Sequence, residues 1–130
     1  MNQVKANVTI PVSMKFTVNI GRWIKGDNVN QAIRKLKAVM EKKEPLPIVT
    51  HKKDTSHKKG IAAGKYPVKT AKHVIKTLNL VKANARHQGL DDSKLIIKDF
   101  IPNLAYSKRQ RGNYKRGRSI HLKVGAVIEK

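Results

Sequence analysis

The residues best suited to chemistry lie in one glycine- and lysine-rich stretch, HKKGIAAGKYP, at residues 57–67. Two glycines followed directly by a lysine are typical of loops that bind the phosphates of a nucleotide. A Walker A loop, however, has four residues between its glycines and a hydroxyl residue after the lysine to hold magnesium. Here Gly60 and Gly64 enclose only three residues, and Tyr66 follows Lys65. The spacing argues against a nucleotide hydrolase. Such an enzyme would hydrolyse its nucleotide in a magnesium-dependent reaction that Lys65→Ala abolishes.

The same stretch suits the phosphates of an RNA backbone. Its glycines permit close approach of the main chain, its lysines supply charge, and the helix that begins near Pro67 offers its N-terminus. The alternative is a flexible turn with scattered lysines. We predict a groove for RNA, with contacts from Lys52, Lys53, His57, Lys58, Lys59, Lys65, Lys69 and Lys72.

A second basic cluster, AYSKRQRGNYKRGRS, occupies residues 105–119. Arginine forks to phosphate and stacks on bases, and tyrosine stacks on unpaired bases. The alternative is a disordered basic tail or a nuclear-import patch, but strand patterns on both sides argue against a tail. The predicted RNA contacts of this cluster are Lys108, Arg109, Arg111, Tyr114, Lys115, Arg116 and Arg118.

Charge makes nucleic acid the expected partner. The 130 residues include 29 Lys or Arg against 8 Asp or Glu, a net charge of +21, with a pI near 10.6. Residues 55–90 and 100–128 contain no carboxylate, although a surface that needed only solubility would mix both signs. Two long zones of one sign indicate two surfaces that face phosphate. No apolar run approaches the ~18 residues of a spanning helix, and no signal peptide is evident, so we expect a soluble, intracellular protein without membrane insertion.

Other catalytic and metal sites are not predicted. The absence of cysteine excludes disulfides, thiolate metal sites and thiol nucleophiles. His51 and His57 are the only histidines close in sequence, and without cysteine or a nearby acid pair they make a poor metal site. The Asp91-Asp92 pair is typical of a turn, and Trp23 is assigned to the core. We expect no enzyme activity, no catalytic residue, no metal and no cofactor.

Periodicity defines the elements that must position the basic residues. Residues 44–66 have little apolar material and no clear period, which predicts a loop ordered on binding. The two C-terminal strands flank the basic cluster, as in an extended β-hairpin. The predicted elements are a strand over residues 4–10, helices from Ser13 to Gly26, from Asn28 to Pro45 and from Pro67 to Gly89, and strands over residues 95–101 and 120–128.

Three segments carry a resemblance to a known family. They are AGKYPVKTAKHVIKTLNLVKANARHQGLDDSKLIIKDF at 63–100, KRQRGNYKRGRS at 108–119 and IRKLKAVMEKKEPLPI at 33–48. In this order they resemble the universal large-subunit ribosomal protein family, numbered twenty-two in bacteria and seventeen in eukaryotes. The insertion THKKDTSHKKGIAAGKYPVK at 50–69 is similar to archaeal and eukaryotic members.

The resemblance implies an α+β fold, with three helices packed on a three-stranded antiparallel sheet and a long protruding basic β-hairpin. It implies one domain, residues 1–130, with a body of 1–104 and 120–130 and a hairpin tip of 105–119. The implied function is that of a structural constituent of the large ribosomal subunit, in the cytoplasm. Its implied partners are large-subunit rRNA, neighbouring ribosomal proteins and the nascent peptide, because the hairpin would line the exit tunnel. The alternative is a free-standing RNA chaperone or architectural nucleic-acid-binding protein.

Overall fold

Three helices lie on one face of a three-stranded antiparallel sheet in the computed structural model, which describes residues 3–50, 58, 63–106 and 119–128. The strand order is β1-β5-β4, and a separate two-stranded ladder joins β2 and β3. The predicted α+β fold is confirmed, whereas the hairpin tip at 107–118 lies outside the described residues. The elements are β1 (Gln3–Ile10), α1 (Met14–Ile24), α2 (Val29–Met40), β2 (Leu46–Pro47), β3 (Gly64–Lys65), α3 (Val68–His87), a 3₁₀ turn (Asp92–Lys94), β4 (Leu95–Leu104) and β5 (Ile120–Ile128).

Local signals set most helix ends close to where the sequence predicts them, but α2 ends at Met40 rather than at Pro45, and Lys42 beyond it has a φ of 60°. The side chain of Asn28 accepts a hydrogen bond from the Asn30 amide (2.9 Å) and so caps α2. Gly26 and Gly89 follow α1 and α3 with φ of 92° and 77°, a left-handed conformation that suits glycine. The Gly26 amide also donates to the Ile97 carbonyl (2.8 Å), which ties the end of α1 to β4.

The core fills the space between the helices and the inner face of the sheet. Ile20 and Ile24 of α1, Leu36 of α2 and Leu78 of α3 are fully buried there against strand residues such as Val124. The apolar residues that repeat at helical spacing in α2 and α3 are therefore on the core side, except Val68 at the start of α3, which is exposed. Burying each such side chain contributes about 1.5–3 kcal/mol.

Trp23 was assigned to the core, and it packs against the core while staying half-buried. The Lys35 ammonium lies 5.3 Å from the centre of the indole ring and 2.6 Å from a carboxylate oxygen of Asp27. One face of the tryptophan is therefore covered by a lysine. Among the helices in the described ranges, none is long and apolar enough to cross a bilayer.

Gly21 lies where α1 meets β4, and we predict that Gly21→Ala destabilises the fold. A Cβ at this position would stand 2.5 Å from Cδ1 of Phe100, whose ring is buried. Alanine favours a helix over glycine by about 1 kcal/mol, but overpacking a core costs about 1–3 kcal/mol. We expect a net loss of about 1 kcal/mol, measured by urea unfolding. The Phe100→Leu background should remove the clash, so an equal loss in that background would contradict the prediction.

Candidate nucleic-acid interface

The RNA contacts predicted in the loop and at the start of the third helix fall into two sets. One set lies among the described residues, and the other lies outside them. Lys65 is exposed on β3, and Lys69 and Lys72 are exposed on α3. Lys58 is half-buried. The following predicted contacts lie outside the described residues: Lys52, Lys53, His57 and Lys59 in the loop, and Lys108, Arg109, Arg111, Tyr114, Lys115, Arg116 and Arg118 in the tip.

The prediction of an unstructured segment over residues 44–66 is wrong at both of its ends. β2 and β3 pair antiparallel, and the Ile48 amide donates to the Ala63 carbonyl (2.9 Å). Leu46 and Ile48 are buried. These isolated apolar residues have no period to detect, yet they anchor both ends of the segment to the body. The basic loop between them therefore starts at a defined place beside α1 and ends just before α3.

Asn19 of α1 holds the entry to this loop, and the sequence analysis missed it. Its side chain is 1% exposed and donates to the carbonyls of Lys15 (2.9 Å) and Thr50 (3.0 Å). Its oxygen accepts from the amides of Val49 (3.0 Å) and Thr50 (3.1 Å) and, at 3.3 Å, from the Thr50 hydroxyl. A signal existed, because an asparagine three residues after Phe16 falls on the apolar stripe of the helix.

A lysine stripe runs along the first two turns of α3. Lys69, Lys72 and Lys76 are exposed at spacings of three and four, so they share one face of the helix. No acidic residue lies in the first turn of α3 to offset them. The pKa of His73, beside this stripe, is lowered by burial and then by the charges of Lys76, Lys69 and Lys72. The stripe therefore carries a positive potential strong enough to act on a neighbouring titratable group.

Among the described residues every carboxylate except that of Glu44 is engaged by the protein itself. The carboxylates of Asp27, Glu41 and Asp92 form ion pairs with neighbouring cations of the chain. Asp99 accepts from the Gln3 side chain (2.9 Å), and Asp91 from Ser93, which lowers its pKa. Lys69, Lys72 and Lys76 form no ion pair with any described residue, so their charge is directed at solvent or at a ligand.

Asp91 and Asp92 form the predicted turn rather than an acid–base pair. Asp91 caps the 3₁₀ turn through the Ser93 amide (2.9 Å), and Asp92 accepts from the Arg86 guanidinium (2.7 Å). Within the described ranges no group of three His, Cys, Asp or Glu side chains is close enough to hold a metal ion.

We predict that His73 makes the fold less stable in mildly acidic solution. Its pKa in the folded chain lies below the ordinary value of 6.5, so the unfolded chain binds the proton more readily. The contribution of neutral His73 to the free energy of unfolding is fully present above about pH 6.5, and it declines as the pH falls toward the pKa of His73 in the folded chain. His73→Gln should reduce the loss of unfolding free energy between about pH 7.5 and pH 5.5.

The matched control for this measurement is His87→Gln, an exposed position on the same helix. Urea unfolding at both pH values measures the difference. An unchanged pH dependence in His73→Gln would contradict the prediction.

An α+β body in which most of the described carboxylates are engaged internally and lysines face outward is typical of the class of proteins that bind polyanions. Comparison with known families is more specific. Residues 6–124 match the family model described as ribosomal protein L22p/L17e, and the chain belongs to that family. The resemblance drawn from its helix and hairpin segments is thereby confirmed.

Curated relatives agree with the family. The chain is 41% identical over 91 residues to the large ribosomal subunit protein uL22 of Archaeoglobus fulgidus, a match that covers 68% of this chain and 59% of the relative. It is 34% identical over 125 residues to uL22 of Methanocaldococcus jannaschii, covering 88% and 80% of the two chains. With uL22 of Methanococcus aeolicus the identity is 31% over 126 residues, covering 89% and 82%. The chain thus spans less than two thirds of the length of some of these relatives.

Membership of this family tests the predicted class of protein and its predicted location. The curated relatives are named as proteins of the large ribosomal subunit, so the predicted protein class and its location in the ribosome are confirmed at the level of the family. The individual RNA contacts stay predictions.

Proposed function

We propose that this protein is a structural constituent of the large ribosomal subunit that binds large-subunit rRNA and lines the nascent-peptide exit tunnel with its basic hairpin. The observation that carries the RNA-binding part is the lysine stripe of α3, where three exposed lysines share one helix face and no acidic residue lies in the first turn. Such a surface is stabilised when a polyanion approaches, because the phosphates offset the mutual repulsion of the lysines. Family membership supports the choice of rRNA as that polyanion.

The proposed contacts fall into two groups, one beside α3 and one in the hairpin tip. Lys65, Lys69 and Lys72 would bind the phosphate backbone beside α3, together with the lysines of the loop at residues 51–62. The tip at residues 105–119 would enter folded RNA, where arginines fork to phosphate and Tyr114 stacks on an unpaired base. Neighbouring large-subunit proteins and the nascent peptide would be its other partners.

This role needs no chemistry from the side chains. Folded RNA brings phosphates close together, and their repulsion must be offset before helices pack. A lysine or arginine that displaces condensed counterions does this and gains entropy from their release. A rigid body that holds two basic surfaces at fixed positions could therefore organise RNA without catalysis.

Sedimentation and salt dependence test the proposal together. The full-length chain, expressed with a tag in cells, should co-migrate with large subunits in moderate salt. Purified protein should bind rRNA with a log–log salt slope that steepens by about 0.9 for each duplex phosphate contacted. A slope near zero would overturn RNA binding. A steep slope without co-migration would instead favour the free-standing chaperone or architectural protein.

A further inference from the structure

One face of the three-stranded sheet is left uncovered by the helices, which all pack on the other face. Its side chains come from β1, β5 and β4, in two rows set by the strand register: Thr9, His121 and Asn103 form one row, and Asn7, Lys123 and Ile101 form the next. All six residues are exposed. We call these six residues the outer sheet face: Asn7, Thr9, Ile101, Asn103, His121 and Lys123.

The outer sheet face contains a shallow depression in which polar side chains surround an apolar floor. A hollow of about 360 Å³ is lined by Asn7, Thr9, Asn103, His121 and Lys123, with the edges of Val8 and Leu122 beneath. This volume is at the lower end of the range for small-molecule sites. Thr9 Oγ1 and His121 Nδ1 share a hydrogen bond of 2.9 Å. That bond orients the imidazole and leaves its Nε2 for a ligand.

The chemistry of the six side chains favours a nucleotide over an apolar or peptide ligand. Lys123 supplies a cation, and the six include no carboxylate. The nearest acid of the neighbouring row, Asp99, is occupied by Gln3, whose side chain crosses above Gly125 at 2.9 Å from the carboxylate. The amides of Asn7 and Asn103 provide both donors and acceptors, as the edge of a base requires. Ile101 is the single aliphatic side chain of the face, which is too little for a hydrophobic interface.

A single unpaired nucleotide fits this face better than a duplex. Duplex RNA is recognised through its shape, phosphates and 2′-hydroxyls, which requires several cations across a groove, whereas unpaired bases stack on rings and bond to polar side chains. The outer sheet face offers one lysine, one imidazole ring and two amides. It also lies at the end of the sheet from which the chain continues into residues 107–118, because the His121–Asn103 pair is adjacent to the last ladder pair, Ile120–Leu104.

We propose that the outer sheet face binds one unpaired nucleotide of RNA, with the base stacked on His121 and bonded by Asn103 and Asn7, and with the phosphate at Lys123. This inference rests on the proposed RNA-binding function and adds a second kind of recognition to it. The tip and α3 would supply affinity that does not depend on whether the bases of the RNA are paired. The sheet would distinguish an unpaired base from a paired one.

Two RNA probes of the same duplex test this, one blunt-ended and one with a short single-stranded overhang. The full-length protein should bind the overhang RNA about tenfold more tightly than the blunt RNA, since stacking of one base on a ring has a measurable effect of this order. His121→Ala combined with Asn103→Ala should remove that preference and leave the affinity for blunt RNA unchanged. The matched control, His87→Ala with Asn79→Ala on the exposed face of α3, should retain the preference.

Two further measurements separate the possible explanations. His121→Phe keeps a ring, so it should retain most of the preference if stacking contributes. The Hε1 proton resonance of His121 should shift with overhang RNA and not with blunt RNA. Equal affinity of the unaltered protein for both probes, or equal losses on both in the double variant, would overturn the inference. In either case a steep dependence of RNA affinity on salt concentration would still support RNA binding. A slope near zero on both probes would contradict the proposed function as well.

Discussion

Replacing residues 107–118 with a two-residue Asn-Gly turn will lower the affinity for large-subunit rRNA at least about a hundredfold at physiological salt, without unfolding the body. The segment carries six cations: Lys108, Arg109, Arg111, Lys115, Arg116 and Arg118. Proteins with six to ten phosphate contacts lose about 10³–10⁵ in affinity between 50 and 200 mM salt. Loss of even a part of these contacts therefore accounts for a hundredfold effect and for a shallower salt slope.

The body should survive because its contacts end before the excised segment. The last described ladder pair joins Leu104 to Ile120, and the Ala105 amide donates to the Ser119 carbonyl (3.1 Å). An Asn-Gly pair suits the tight turn needed to reconnect the strands, because both of its residues tolerate positive φ. The core that packs on β5 contains Ile120 and Leu122, which this change leaves in place.

The informative comparison is a variant of unchanged length in which the same six cations become glutamine. If charge is the cause, this variant should lose about as much affinity as the excision and show the same reduced salt slope. Filter binding across a salt series measures both, and circular dichroism follows the fold. Collapse of the helical signal on excision would contradict the division into body and tip, and an unchanged slope would contradict the electrostatic role of the tip.

The second large effect is expected at Asn19, far from any predicted RNA contact in sequence. Asn19→Ala should lower the free energy of unfolding by about 2–3 kcal/mol, because it removes a buried amide and leaves part-buried backbone groups of Val49 and Thr50 without their partners. For a domain of this size the melting temperature should fall by roughly 10 °C. Urea unfolding and calorimetry would measure the two quantities.

Loss of this asparagine should also weaken RNA binding under conditions where the variant stays folded. Thr50 begins the basic loop, so releasing it from α1 makes the loop lysines more costly to order on RNA. We expect a severalfold lower affinity, measured well below the melting temperature. This second readout distinguishes a positioning role from a purely structural one.

Two controls accompany Asn19→Ala. Asn79→Ala removes an exposed asparagine from α3 and should leave stability almost unchanged or slightly increased. Thr50→Ala removes the hydroxyl and the γ-methyl group but keeps the backbone bonds to Asn19; because the hydroxyl makes the longest of the Asn19 bonds, at 3.3 Å, this variant should cost much less than Asn19→Ala. Equal losses at Asn19 and Asn79 would show that the buried amide is not what holds the loop entry.

The predictions that the structure confirms depend on neighbours in the chain. The stripe Val29, Ala32, Ile33 and Leu36 repeats with the period of a helix, and all four residues are buried on α2. Alternation from Ile120 to Ala126 gave the inner residues of β5 correctly. The caps at Asn28 and Gly89 follow from the geometry of single residues at helix ends. Such features need no knowledge of which other element lies nearby.

The features that were missed depend on residues far apart in the chain. Asn19 binds Thr50 across 31 positions, and Gln3 reaches Asp99 across 96 positions. The β2–β3 ladder consists of two residue pairs, too short to leave any period. β4 continues to Leu104, beyond the predicted end at Ile101, because β5 supplies partners for it there. A bulge between Ile97 and Asp99 also changes which side chains of β4 face outward.

The order of residues by itself determined three helices, three strands, a basic surface and the family, because hydrophobic period, helix caps and net charge are properties of the chain read locally. Only the tertiary structure decided that a polar helix residue holds the loop entry and that His121 lies between Thr9 and Asn103. The physical reason is that these contacts arise when separate elements dock, and the geometry of docking is set by the whole core. The residues of a single segment therefore do not predict which residues of another segment they will contact.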